Sequence, residues 1–174
     1  RQRLSLEGFV VGYVGRFLRA RGILTLLDAV GRLSLRVTLL LIGRGELRAE
    51  IEAHSSRLGI ADRVRIVDAV PHANVPRYMN AMDVLVLGSL TTPPYAPTFK
   101  EQFGHVLIEA MACEVPVIGS DSGEIPNVIG DAGLVFHEGN ADQLARQIKA
   151  LVSDPKLRAE LATKGRQRVL ARYT

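Results

Sequence analysis

The 174-residue sequence predicts an α/β domain, a doubly wound and mostly parallel sheet of about six strands with helices on its faces. Three observations predict it. Short runs such as Val37–Ile42 (VTLLLI) and Asp83–Leu87 (DVLVL) are apolar without alternation, as in strands buried on both faces. Segments with helical spacing of apolar residues stand between these runs. The connections are short, and no internal repeat or low-complexity segment interrupts the alternation.

Each element follows in turn. Phe9–Val14 is a short apolar run that ends in glycine and reads as a first strand. Leu24, Leu27 and Val30, with Leu33 one step on, give helical spacing across Leu24–Leu33. Val37–Ile42 is a second strand, closed by Gly43-Arg44-Gly45. Glu46–Leu58 is charged, with Leu47, Ile51 and Leu58 on a helical stripe. Val64–Val67 reads as a strand, Val75–Met82 as a short helix and Asp83–Leu87 as another strand. Phe103–Cys113 is helical, Val115–Gly119 and Leu134–Phe136 are strands, and Ala141–Val152 is amphipathic along Leu144, Ile148 and Leu151. Pro155 suits the first turn of a last helix that reaches about Ala171.

Composition narrows the class. Apolar residues are 47% and charged residues 23%, which excludes a disordered tail, a collagen-like repeat and a disulfide scaffold. Aromatics are 5% with no Trp, so the core must be aliphatic. The net charge is +4, and 18 of the 22 basic residues are Arg. Arginine grips planar oxyanions at two points, which suits phosphate ligands; a compositional bias of the source genome would give the same count. The basic residues are scattered rather than run together, so no nucleic-acid partner is expected. The single Cys113 excludes a disulfide within the chain and fits a reducing, cytoplasmic setting. No signal peptide is present, and no apolar stretch approaches the ~20 residues that span a bilayer. The chain starts at Arg1 rather than Met, which reads as a piece of a longer protein.

In an open parallel sheet, ligands bind outside the carboxyl ends of the strands. That rule selects five loops: Gly15–Ile23, Gly43–Glu46, Asp68–Ala73, Gly88–Phe103 and Gly119–Ile125. The helix that starts at about Gly104 is apolar nearly all round and is expected to be buried, with Glu109 as its carboxylate. A buried charge must find a partner or a ligand. Glu101 lies just before the helix start, whose free N–H groups and positive dipole end suit a phosphate. Carboxylates there make sense as acceptors from sugar hydroxyls; the same spacing also allows Glu109 paired to a core arginine and Glu101 as a solvated cap. Arg16 and Arg21 follow the glycines of Gly12-Tyr13-Val14-Gly15 and can reach over the sheet end as phosphate clamps. They are equally readable as surface arginines. Gly119-Ser120-Asp121-Ser122-Gly123 can offer backbone N–H groups to an anion, or form an ordinary turn capped by Ser122.

Other chemistries lack their motifs. Gly-x-Gly-x-x-Gly is absent after the first strand, which argues against a dinucleotide site. Asp-x-Asp, His-Glu-x-x-His, Cys-x-x-Cys and Gly-x-Ser-x-Gly are absent too, so no metal site and no cofactor is expected. Of the histidines, His54 and His137 fall away from the densest ligand loops, whereas His72 and His105 fall near them.

Taken together, these segments resemble the C-terminal, donor-binding domain of glycosyltransferase family 4, a retaining family of two-domain GT-B architecture. The resemblance runs from about Phe9 to Thr174. Its best motif is Glu-x7-Glu, Glu101 to Glu109, inside EQFGHVLIEAMACEVPVIGSDSGEIPNVIGDAGLVF. GYVGR, IGRGE and DVLVLGS support it in the same order. The resemblance implies that residues 1–174 bind a nucleotide diphosphate sugar. It implies that an N-terminal acceptor domain belongs to the same enzyme, and that the chain alone does not turn over efficiently. Arg16 and Arg21 would hold the diphosphate, and with Glu101, against the transferred sugar, they are the expected catalytic residues. Glu109 would accept from the ribose hydroxyls. Phe103, Gly104, His105 and Val106 would lie near sugar and phosphate. Gly15, Gly43, Gly45, Val70 and His72 would border the nucleotide.

Four departures stand out. Arg21 replaces a usual Lys, Glu114 and Ala69 replace usual glycines, and the Thr91–Lys100 segment is longer than the family's usual link. The resemblance also implies an acceptor glycan or lipid, and leaves peripheral membrane association of the full-length enzyme open. A non-catalytic nucleotide- or sugar-binding module, or a nucleotide-sugar epimerase of the same architecture, would carry many of the same residues.

Overall fold

The structure is a computed structural model, and it describes residues 4, 6–91 and 100–174. The described residues form one sheet of β1 (Phe9–Val14), β2 (Val37–Ile42), β3 (Val64–Val67), β4 (Val84–Leu87), β5 (Val117–Ser120) and β6 (Leu134–Phe136). All neighbours pair in parallel, in the order β3-β2-β1-β4-β5-β6. The helices are α1 (Ile23–Gly31), α2 (Arg48–Arg57), α3 (Val75–Met79), α4 (His105–Ala112), α5 (Ile125–Ile129), α6 (Ala141–Ser153) and α7 (Pro155–Arg172). α1 meets α2 and α6, α4 meets α3, α5 and α7, and α6 also meets α7. The fold is the doubly wound α/β sheet that the alternation predicts.

The aliphatic core sits on the central strands. Val10, Val11, Leu39, Leu40, Leu41, Val84 and Leu85 are fully buried. Asp83 locks the central pair together: the Val10 N–H donates to its Oδ2 (2.7 Å), and its own N–H donates to Val10 O (2.8 Å). β3 is the exception to burial on both faces. All four of its residues are half-exposed, because it is an edge strand with one neighbour. The last two helices start where local chemistry says they should. Asn140 Oδ1 accepts from the Gln143 N–H (2.9 Å), Asp154 Oδ1 accepts from the Leu157 N–H (2.9 Å), and Pro155 opens α7.

Three expectations need correction. α5 lies just past the loop ending at Ile125 and was not anticipated. It is five residues long, too short for a helical period to register, although Ile125, Val128 and Ile129 are buried. α3 stops at Met79 instead of Met82, because Ala81 and Met82 close tighter turns onto Tyr78 O and Met79 O. α4 is not buried all round: Leu107, Ala110 and Met111 are, but His105 is exposed and Val106, Ile108 and Glu109 are half-buried. In its first turn, His105 and Val106 line a cavity at the carboxyl end of the sheet.

Glu114, just past the end of α4, has φ of 57°. Among the described residues it is the one non-glycine with positive φ. An L-residue there costs ~1–2 kcal/mol, and glycine's larger unfolded-state freedom returns ~0.5–1 of it. Glu114→Gly is therefore expected to stabilise the domain by about 0.5–1 kcal/mol, a rise of roughly 2 °C in melting temperature. A melting temperature that stays put or drops would show that Glu114 carries no strain.

Candidate functional site

β1 and β4 lie side by side at the point where the strand order reverses, and the crevice outside their carboxyl ends is the expected ligand position in such a sheet. The β1 end is built tightly. The Gly15 N–H donates to Ile42 O and the Phe17 N–H to Arg44 O, both at 2.9 Å. Gly45 lets the next loop close, since a Cβ there would stand 2.4 Å from Phe17 O. The buried Tyr13 hydroxyl donates to Arg16 O (2.7 Å), and so fixes the backbone that presents Arg16. Burial pushes the Tyr13 phenol well above its usual range; nearby Arg21 opposes this and Glu101 adds to it. The phenol stays a neutral donor.

Gly22 caps α1 in the left-handed conformation (φ 67°). A Cβ on it would lie 1.8 Å from Gly88 O, so the chain carrying Arg21 rests directly on the end of β4. Arg21 reaches Glu101, forming an ion pair between its Nη1 and the Glu101 Oε2. The same Oε2 accepts from the buried Ser89 Oγ (2.8 Å), and Ser120 Oγ donates to Ser89 O (2.6 Å). A polar string thus runs from β5 through the β4 end to Glu101, which is buried rather than solvated.

These parts enclose a cavity of about 390 Å³. Gly15, Arg16, Arg21, Glu101, Phe103, Gly104, His105 and Val106 line it. Arg16 is exposed, and its guanidinium makes no ion pair or hydrogen bond among the described residues. The first-turn N–H groups of a helix lack intrahelical partners, so the α4 start contributes positive potential on the opposite wall. A second cavity of about 210 Å³ shares Val14, Gly15 and Arg16 with the first. Gly43, Arg44, Ala69, Val70 and Val75 complete it, and its wall is largely apolar.

Three predicted site residues line neither cavity. Gly45 packs beneath Phe17. His72 and Glu109 are hydrogen bonded to each other, Nε2 to Oε1, at 2.8 Å. Glu109 is 33% exposed instead of buried, and its partner is His72 and not a core arginine. The pair joins the turn after β3 to α4. The His105 ring lies tilted by 53° against Phe103 (4.7 Å between ring centroids), which Tyr173 meets edge-on at 5.7 Å.

The Gly119–Ile125 loop serves Glu101. The Glu124 N–H donates to Glu101 O (3.0 Å), and a Cβ on Gly123 would collide with that carbonyl. Ser122 does not cap α5; its Oγ meets Thr91 Oγ1 at 3.0 Å. Asp121 accepts from His137 Nδ1 (2.7 Å) and the Glu138 N–H (2.9 Å). Burial alone would raise its carboxyl, but these bonds outweigh it and hold the group below its usual range. Most of the Thr91–Lys100 segment lies outside the described residues. His54 is remote from the cavities, paired with Asp28 at 2.7 Å.

Sequence reasoning overlooked Tyr13, Ser89 and Ser120. Their signal was available: each is a hydroxyl in or just after an otherwise apolar strand, where burial demands a partner.

A reversed-order parallel sheet with a polar crevice at the reversal defines a Rossmann-like domain. The chain matches the model of the group 1 glycosyl transferases over residues 1–168, and it belongs to that family. It is 33% identical over 178 residues to the capsular polysaccharide biosynthesis glycosyltransferase CapM of Staphylococcus aureus, covering 99% of this chain and 44% of the relative. It is likewise 33% identical over 168 residues to the lipopolysaccharide core biosynthesis glycosyltransferase LpsE of Rhizobium meliloti, covering 95% and 46%. The chain thus spans less than half the length of these relatives. Among solved structures it is similar to Anabaena Alr3699/HepE in complex with UDP and glucose, with a TM-score of 0.89 and 28% identity over 99% of this chain and 46% of that one. The fold also matches, at 24% identity and TM-score 0.84, the C-terminal domain of the group 1 protein LpcC from Francisella tularensis, covering 90% of that chain.

Proposed function

We propose that this chain is the donor-binding domain of a retaining, family 4-type glycosyltransferase of GT-B architecture. One observation carries the reading: Arg16, Arg21 and Glu101 share a cavity with the start of α4, at the strand-order reversal of a group 1 glycosyl transferase. The similarity to Alr3699/HepE, solved with UDP and glucose, supports a nucleotide diphosphate sugar as ligand.

In this reading the diphosphate lies between Arg16, Arg21 and the first turn of α4. The anomeric carbon–oxygen bond breaks, and the leaving phosphate oxygen gains charge where cationic side chains and helix-end N–H groups already wait. The acceptor hydroxyl takes the sugar with its configuration kept, and its proton passes to the departing diphosphate. Glu101 faces the sugar, and the apolar second cavity takes the base between Val70 and Gly43. Glu109, steadied by His72, accepts from the ribose. No resident metal or cofactor is assigned, since the nucleotide sugar is substrate. The acceptor, a glycan or lipid, would be held by an N-terminal domain of the same enzyme. The unpaired Cys113 and, among the described residues, the lack of a helix able to cross a membrane are compatible with work in the cytoplasm.

Calorimetric titration with UDP, GDP and ADP tests the core of this reading. One of the three is expected to bind this chain, and transfer is expected only from the full-length protein. No binding by any of them, nor by their sugar-bearing forms, would refute the donor site.

A further inference from the structure

The donor reading places Arg21 on the diphosphate, yet the structure already gives Arg21 a carboxylate. Glu101 Oε2 takes both Arg21 Nη1 and Ser89 Oγ. Its side chain is only 9% exposed, so the carboxylate is held by protein instead of water. Oε1 makes no hydrogen bond among the described residues, and Glu101 lines the cavity. One oxygen is thus committed to holding Arg21 while the other can accept from a ligand.

This arrangement treats two ligands differently. A bare nucleoside diphosphate must share Arg21 with Glu101 and sit beside a like charge, which is unfavourable in a partly enclosed site. It offers no hydroxyl to Oε1. A nucleotide that carries a sugar meets the same repulsion but can donate a hydroxyl to Oε1, and a hydrogen bond to a charged acceptor is among the stronger kinds. We propose that Glu101, fixed by Ser89, restrains Arg21 and so makes the site select a nucleoside diphosphate bearing a polyhydroxylated group over the bare nucleoside diphosphate. The inference rests on the donor-site reading and adds to it an antagonism between Glu101 and the product nucleotide. Ser89 acts through Glu101 and is a positioning residue.

The test titrates the chain with UDP and UDP-glucose, with GDP and GDP-mannose, and ADP and ADP-glucose, as parallel pairs. Wild type, Glu101→Gln and Ser89→Ala are compared, with a thermal melt for each. In Glu101→Gln the bare diphosphate of the binding pair is expected to tighten by about fivefold, and the preference for the sugar-bearing form to shrink by at least as much. Its affinity should also fall more steeply with salt, because Arg21 no longer shares its charge with the Glu101 carboxylate. Ser89→Ala should move the preference the same way, by less. Unchanged or weaker binding of the bare diphosphate by a folded Glu101→Gln would overturn the inference while leaving the donor site standing. If that variant does not fold, an unchanged preference in Ser89→Ala overturns it. Wild type that binds none of the pairs would remove the donor-site reading and this inference with it.

Discussion

Arg16→Ala is expected to weaken binding of the nucleoside diphosphate by about ten- to a hundredfold. The size follows from the chemistry of the lost contact. A hydrogen bond to a charged group contributes ~1.5–3 kcal/mol, and each ~1.4 kcal/mol is tenfold in affinity. Arg16 is exposed and has no side-chain partner among the described residues, so its removal leaves no buried group orphaned. The melting temperature should therefore hardly move, which separates loss of binding from loss of folding. Glu109→Ala should produce a loss of similar size by a different route. It removes the acceptor proposed for the ribose hydroxyls and leaves His72, 84% exposed, free in solvent. The two variants are told apart with 2′-deoxy-UDP or its cognate counterpart. Wild type and Arg16→Ala should discriminate against the deoxy form, and Glu109→Ala should not. Full-strength nucleotide binding by both variants would mean that the ligand sits elsewhere.

Gly22→Ala is expected to cost about 2–5 kcal/mol of stability, summing ~1–2 for a left-handed L-residue and ~1–3 for forced overpacking. A Cβ at this position would stand 1.8 Å from Gly88 O, and backbone cannot rotate away as a side chain can. For a domain of this size the loss corresponds to a fall of roughly 5–15 °C in melting temperature. The consequence reaches the site as well. Gly22 follows Arg21 and carries the start of α1 against the end of β4, so any shift moves Arg21 away from Glu101. A variant that melts within a degree or two of wild type would show that the Gly22–Gly88 approach can relax freely.

Much of this was legible in the residues. Val37–Ile42 and Val84–Leu87 form strands because unbroken aliphatic runs of that length have nowhere to go but a sheet covered on both faces. α6 follows from Leu144, Ile148 and Leu151, and α7 from Pro155, because period and a first-turn proline are local signals. Glu101 and Glu109 were picked out together, and here locality ceased to help. Their eight-residue spacing suggested two similar acids flanking one helix start. Instead Glu101 is buried in a string through Ser89 and Ser120, while Glu109 is half-exposed and bound to His72. Those partners lie between 12 and 37 residues away along the chain, beyond the reach of any periodicity.

Fold class, strand placement and the choice of ligand loops came from the order of apolar runs, since burial of aliphatic surface depends mainly on short-range pattern. Which side chain meets which across the crevice came from the sheet order β3-β2-β1-β4-β5-β6. That order brings the ends of β1, β4 and β5 together, so Arg21, Ser89 and Glu101 meet although Arg21 and Glu101 lie 80 residues apart. Ion pairs and hydrogen bonds act over a few ångströms, and only the packed chain determines who lies that close.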